Sequence, residues 1–257
     1  MQRVFWPPVA LLAVSGVLLV LAVVPFSQGK EPGQKTTPLP AEELQALAGM
    51  FLNRIQETTA DEATFDSDDS QNRRYQNAHA LALVAAALGQ SEDAKARAAA
   101  GALWKAALEL SDVGQREQAQ ALLQQARDAL DGKATGGKVP AWNDDVAELD
   151  GVMPEVGNQQ NRINRSLRRL RRRPQRVQQA AVFLAATARL LQAQVPDEDE
   201  AEPDQIQVWK RSAALMEQAA RELYQAARAK DTSKARAANK RLDQSCHQCH
   251  EAFGIDE

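Results

Sequence analysis

The sequence predicts an all-α protein, in which an N-terminal membrane segment is followed by two antiparallel four-helix bundles. Three observations carry that expectation. Beyond residue 40 the chain is rich in Ala, Leu, Gln, Arg and Glu, residues that lose little on entering a helix. Apolar residues recur there at intervals of three and four, and no stretch alternates apolar with polar as a half-buried strand would. Helix breakers punctuate the periodic stretches, at Gly89, Gly114, Gly132, Pro174 and Pro196.

Composition narrows the function before any motif is considered. Lys and Arg number 31 against 34 Asp and Glu, a net charge of -3, so the chain lacks the cationic excess that displaces counterions from nucleic acid. Only 2 cysteines are present, too few for a disulfide framework. No Ser-His-Asp set, glycine-rich phosphate loop or paired-carboxylate site stands out, so no catalytic residue is assigned and the chain is not expected to be an enzyme.

Residues 4–26 carry no charge and follow Arg3, and about 20 helical residues cross a bilayer, so residues 1–26 are expected to be a transmembrane anchor. The alternative is a cleaved secretory signal, with Ser27 and Gly29 as small residues near the cut. Residues 27–40 read as a linker outside the fold.

The first bundle is expected over 41–132. Its first helix places Leu44, Leu47, Ala48, Phe51, Leu52 and Ile55 on one stripe. The second runs from about Ser70 to Leu88. Ser91 caps a third that turns Trp104, Ala107 and Leu108 inward, and the fourth lies between Gly114 and Gly132. Residues 133–142, with Gly136, Gly137 and Pro140, form a linker. The second bundle is expected over 143–257. Asn143 and Asp144 open its first helix, which continues through Val146, Leu149, Met153, Ile163 and Leu170 to Pro174. Pro154 within it requires regular hydrogen bonding to begin close by, or a kink. A sixth helix covers 175–195, the acidic run 197–204 is a loop, and a seventh carries Trp209, Met216, Leu223 and Tyr224. The eighth starts near Thr232 and carries Leu242, Cys246, Cys249 and Phe253.

Both cysteines fall in Cys246-His247-Gln248-Cys249-His250, the C-x-x-C-H pattern of c-type haem attachment. On a helix, positions three and four apart share a face, so both thiols and the His250 imidazole project into one pocket. The thiols suit thioether links to one covalent haem c, and a neutral nitrogen of His250 suits its iron as proximal ligand. A thioredoxin-like disulfide needs a βαβ context, and structural zinc usually takes two ligand pairs separated by a loop. Neither fits here.

A C-x-x-C-H motif on the last helix of a four-helix bundle resembles the class II c-type cytochromes, the cytochrome c-prime family. The resemblance spans about Pro140 to Glu257. The first bundle looks like a haemless, diverged copy, in which Arg127, Leu130 and Asp131 stand where Cys246, Cys249 and His250 do. In low-spin members a methionine near the start of the bundle's first helix is the sixth ligand, and Glu148-Leu149-Asp150-Gly151-Val152-Met153 looks like that segment. Met153 is thus the candidate distal ligand, with a core methionine as the other reading; Met216 is the weaker candidate. The resemblance implies an electron carrier if Met153 binds iron, and a five-coordinate protein that binds or senses NO or CO if it does not. A third reading is a structural protein whose helices bind a partner. Haem attachment of this type implies the periplasmic side of a bacterial inner membrane, with the protein anchored there or soluble after signal cleavage. Family members are often dimers through their first helices, so a homodimer is also expected.

Arg162, Arg165, Arg168, Arg169, Arg171, Arg172, Arg173 and Arg176 form the densest local charge. They read as a docking patch for an acidic redox partner, Arg162–Arg176, or for anionic headgroups. The reading preferred over that one is a solvated helix end paired with the acidic 197–204 loop, because charge runs are usually solvated faces. His79 has no partner at ligand spacing and reads as an ordinary helix residue, and His247 as exposed.

Overall fold

The computed structural model describes residues 37–134, 136–143, 145–197, 199 and 201–255. The expected anchor over residues 1–26 lies outside the described residues. Among the described residues no helix is long and apolar enough to cross a membrane, and no strand occurs. The helices are α1 (Ala41–Glu57), α2 (Glu62–Asp66), α3 (Asp68–Gly89), α4 (Ala94–Ser111), α5 (Arg116–Leu130), α6 (Leu149–Leu167), α7 (Pro174–Ala193), α8 (Pro203–Arg228) and α9 (Thr232–Phe253).

The stripe anticipated for α1 is the one it buries. The short α2 escapes a periodicity argument because five residues do not complete two turns. Its Asp61 cap accepts from the Thr64 N–H at 2.8 Å, and Phe65 is driven into the core beneath the Arg74 guanidinium. α4 is capped by Asp93, which accepts from the N–H groups of Lys95 and Ala96, while Ser91 accepts from Asp93 N–H one step earlier. Gly132, at φ +77°, follows α5 in a conformation that favours glycine.

α3 packs on α1 and α4, and α5 on α4 and α1; in the second half α7 packs on α6 and α8, and α9 on α8 and, sparingly, on α6. One core runs through both sets. α3 over Ala78–Leu88 and α7 over Ala180–Leu191 are buried almost all round, as helices flanked on every side must be. They meet each other and the opposite set, with α3 touching α6 and α7, and α1 touching α7. Phe51 and Phe183, both fully buried, stack across the join at 5.6 Å between centroids.

The described residues of both expected linkers belong to this body; 27–36 of the first lie outside the described residues. In the linker over 133–142, Gly137, at φ +82°, lies against α4 so closely that a Cβ on Gly101 would come within 2.2 Å of the Gly137 carbonyl oxygen. At the tether's end Leu39 is buried, and the Thr37 carbonyl accepts from Arg189 at 2.5 Å and Arg221 at 2.6 Å. Residues 37–40 are therefore part of the fold, because two guanidiniums that also clasp Glu217 hold the backbone there.

The largest departure is at α6, which opens at Leu149 rather than at Asn143 and Asp144. Side chains from elsewhere take the backbone groups that a helix would use. Trp104 Nε1 donates to the Val146 carbonyl at 3.0 Å, Gln194 Nε2 to the Ala147 carbonyl at 3.0 Å, and Glu148 N–H to His79 Nδ1 at 3.0 Å. Pro154 then falls in the second turn and removes only the bond to the Asp150 carbonyl. α6 also stops at Leu167, short of Leu170, and Pro174 becomes the first residue of α7.

Candidate functional site

Asp231 opens α9 by accepting from Lys234 N–H, and Gly254, left-handed at φ +63°, closes it just past the cysteines. Cys246, Cys249 and His250 lie in its last two turns, all half-buried, and His247 between them is exposed. No disulfide joins the two cysteines. Burial pushes the Cys249 thiol above its ordinary value, which keeps it protonated at neutral pH.

The pairing of α6 with α9 sets what stands opposite. Gln160 Nε2 donates to Asn239 Oδ1 at 3.2 Å and also to Asp243, and Asn239 Nδ2 donates to Asn164 Oδ1 at 2.9 Å. One turn forward on α6 thus matches one turn back on α9, so the helices run antiparallel. Met153 and His250 each lie about two turns from the Gln160–Asp243 bond, one toward the start of α6 and the other toward the end of α9. Met153 also shares the Gln160 and Asn164 stripe of α6, the stripe that meets α9. It is half-buried and packs against the core, whereas Met216 is fully within it.

α8 supplies the neighbouring wall. Gln205 Nε2 donates to the Ala252 carbonyl at 2.7 Å, and Trp209 meets Phe253 edge-on at 5.6 Å. Ser212 and Met216 continue that stripe toward the level of the cysteines. Ser212 is 4% exposed, and its buried hydroxyl has no hydrogen-bond partner. Two half-buried thiols and an imidazole on one helix face, with an unmatched hydroxyl on the neighbouring α8, have the chemistry to hold a flat apolar group.

His79 is the residue that sequence reasoning undervalued. It is 4% exposed and accepts the Glu148 N–H, and burial holds its imidazole below the ordinary value of 6.5 despite nearby Glu148, Asp150 and Asp112. One turn earlier, the Tyr75 hydroxyl donates to Asp150 Oδ1 at 2.7 Å, and burial together with that carboxylate raises the phenol. No local pattern reveals such a role, since the partners lie 69 and 75 residues away.

The arginine run sits elsewhere. Arg165, Arg168, Arg169, Arg171, Arg172, Arg173 and Arg176 are exposed around the α6–α7 turn, while Arg162 is half-buried against Met50 and Gln179. The acidic 197–204 loop follows the opposite end of α7, whose 20 residues extend about 30 Å, so the expected pairing is out of reach. Met153 is about 22 Å from Arg168 along α6. At the positions read as equivalents of the motif, Arg127 reaches across to Asn53 and Gln56 of α1.

Residues 144–254 match the family described as Cytochrome C'. No curated protein and no solved structure matches the chain. The family implies a covalently bound c-type haem, and the C-x-x-C-H motif falls inside the matched stretch. Residues 144–254 of this chain are therefore similar to the cytochrome c' family, and the helices before them lie outside the match.

Proposed function

We propose that the chain is an exported mono-haem c-type cytochrome that carries electrons, made of a haemless bundle over 41–132 and a haem-bearing one over 143–257. Cys246 and Cys249 would hold the haem through thioethers, and His250 and Met153 are the residues that would bind its iron. The haem, when bound, supplies a one-electron iron couple. The remaining work falls to the chain. α9 sets the two sulfurs and the imidazole on one face, and the apolar residues of α6 and α8 exclude water. The observation that supports the reading is the antiparallel α6–α9 register, counted along which Met153 and His250 lie equally far from the Gln160–Asp243 bond. A thioether opposite an imidazole closes the site to other ligands and raises the potential, which suits outer-sphere transfer. A redox partner approaches from the end bearing α9's last turns, since the arginine turn lies about 22 Å away along α6. Residues 4–26 hold the protein at the periplasmic face of the membrane.

Two measurements on protein from cells equipped for haem attachment test this. Haem should stay with the polypeptide on a denaturing gel and be lost when Cys246→Ser and Cys249→Ser are combined; a colourless wild-type band sinks the reading. The ferric spectrum should show a weak methionine-to-iron band that disappears in Met153→Ala, and reduced wild-type protein should resist carbon monoxide. A high-spin ferric spectrum with tight carbon monoxide binding would instead establish the five-coordinate, gas-binding protein.

A further inference from the structure

α6 has two working faces. Its Met153, Gln160 and Asn164 stripe meets α9. The opposite stripe meets α1 and α3, which lie outside the matched family region. There Tyr75 donates to Asp150, His79 accepts from Glu148 N–H, and Arg54 Nη1 pairs with buried Glu155 at 2.8 Å. Arg162 donates to Met50 Sδ at 3.3 Å. At Gly151 contact is at its closest, because a Cβ would lie 2.8 Å from Cβ, Cγ and Cδ2 of His79. The first turn of α6 thus rests on the imidazole itself, with its leading N–H bound to the same ring.

We propose that the N-terminal helices are a positioning platform for the haem region: α1 and α3, with His79 as the central positioning residue, set the height and rotation of α6 and so aim the Met153 face at the haem. The physical case is that a helix start is otherwise free to slide or wind further back. Leu149 is not preceded by a side-chain cap on Glu148, so the exposed end of α6 is fixed by tertiary bonds. Removing the His79 ring leaves the Glu148 N–H without its partner and takes away the surface on which Gly151 rests, so the first turn of α6 shifts against α3 and carries Met153 with it. The inference rests on the proposed haem site, since it assigns α6 the distal wall.

The test uses the full-length, haem-loaded chain. His79→Ala should speed amide hydrogen exchange at Glu148 and accelerate carbon monoxide association with the reduced protein by about tenfold, the scale of one lost hydrogen bond to a buried group. His79→Asn, which keeps an acceptor near the Nδ1 position, should restore both. Gly151→Ala favours helix intrinsically, so any faster ligand entry there reports the collision with His79. Its effect should vanish when added to His79→Ala, because the two changes act on one contact. Faster exchange at Glu148 with ligand entry and spectrum unchanged in His79→Ala would overturn the proposal, as would additive effects of the two substitutions. Met153→Ala separates the underlying reading: if it leaves the spectrum unchanged, methionine ligation fails, while ligand entry past α6 still reports whether the platform controls the distal wall.

Discussion

The two helical sets close differently, one along a bonded seam and the other at a clasp short of the C-x-x-C-H motif. In the first, α5 lies along α1, and Arg127 spans the join to Asn53 and Gln56 while Gln120 donates to the Thr59 carbonyl. In the second, α9 meets α6 only sparingly, and the bonds between them gather at Asn239 and Asp243, one to two turns before the cysteines. Beyond that clasp stand half-buried Cys246, Cys249, His250 and Met153 in place of an arginine bridge. The first set is bonded along its own seam, whereas in the second the bonds between the outer helices stop short of the C-x-x-C-H motif.

That contrast holds within one shared core, and Phe51 tests the sharing. Phe51→Ala removes a fully buried ring at the join and should cost about 3–5 kcal/mol. Calorimetry should show one cooperative transition moving as a whole. Two separated transitions, with only the one belonging to residues 41–132 shifted, would break the picture of a common core into independent bundles.

The two seams themselves should respond unequally. Asn239 is 6% exposed and bonds to Gln160, Asn164 and Asp243, so Asn239→Ala should cost about 1–3 kcal/mol by stranding those groups. Arg127→Ala removes an exposed bridge and should stay within about 0.5 kcal/mol. Equal costs in urea titrations of the two variants would erase the distinction between a clasp and a surface contact.

A further expected effect is one of pH. His79 faces Tyr75 on its own helix, Glu148 and Asp150 at α6 and Asp112 beyond α4, yet burial dominates and depresses its value. The unfolded chain therefore binds a proton there sooner than the folded one. Stability from this site is complete above about 6.5 and falls as the solution is acidified below it, by at most about 1.4 kcal/mol per pH unit. His79→Asn should flatten this part of the pH–stability curve; an unchanged slope would assign it to the carboxylates instead.

Much of the fold was legible because helices announce themselves by period and punctuation. The α1 stripe, the ends of α5 and α9, and the place of the C-x-x-C-H pattern all follow from spacing a few residues long. The opening of α6 was not legible. Asn143 has the chemistry of a helix start, and only the arrival of His79, Trp104 and Gln194 from three distant places removes the backbone groups that a helix there would need. The short α2, the docking of Leu39 and the isolation of the arginine turn from the acidic loop were hidden for the same reason.

The sequence by itself thus determined an all-helical chain and a haem-attachment motif at the end of its last helix, because both are written in contacts between residues three and four apart. How the two helical sets share α3 and α7, and where α6 begins, were decided only by tertiary structure. Each depends on register between helices far apart in the chain, and register is set by side chains packing and bonding across a core, where local periodicity carries no information.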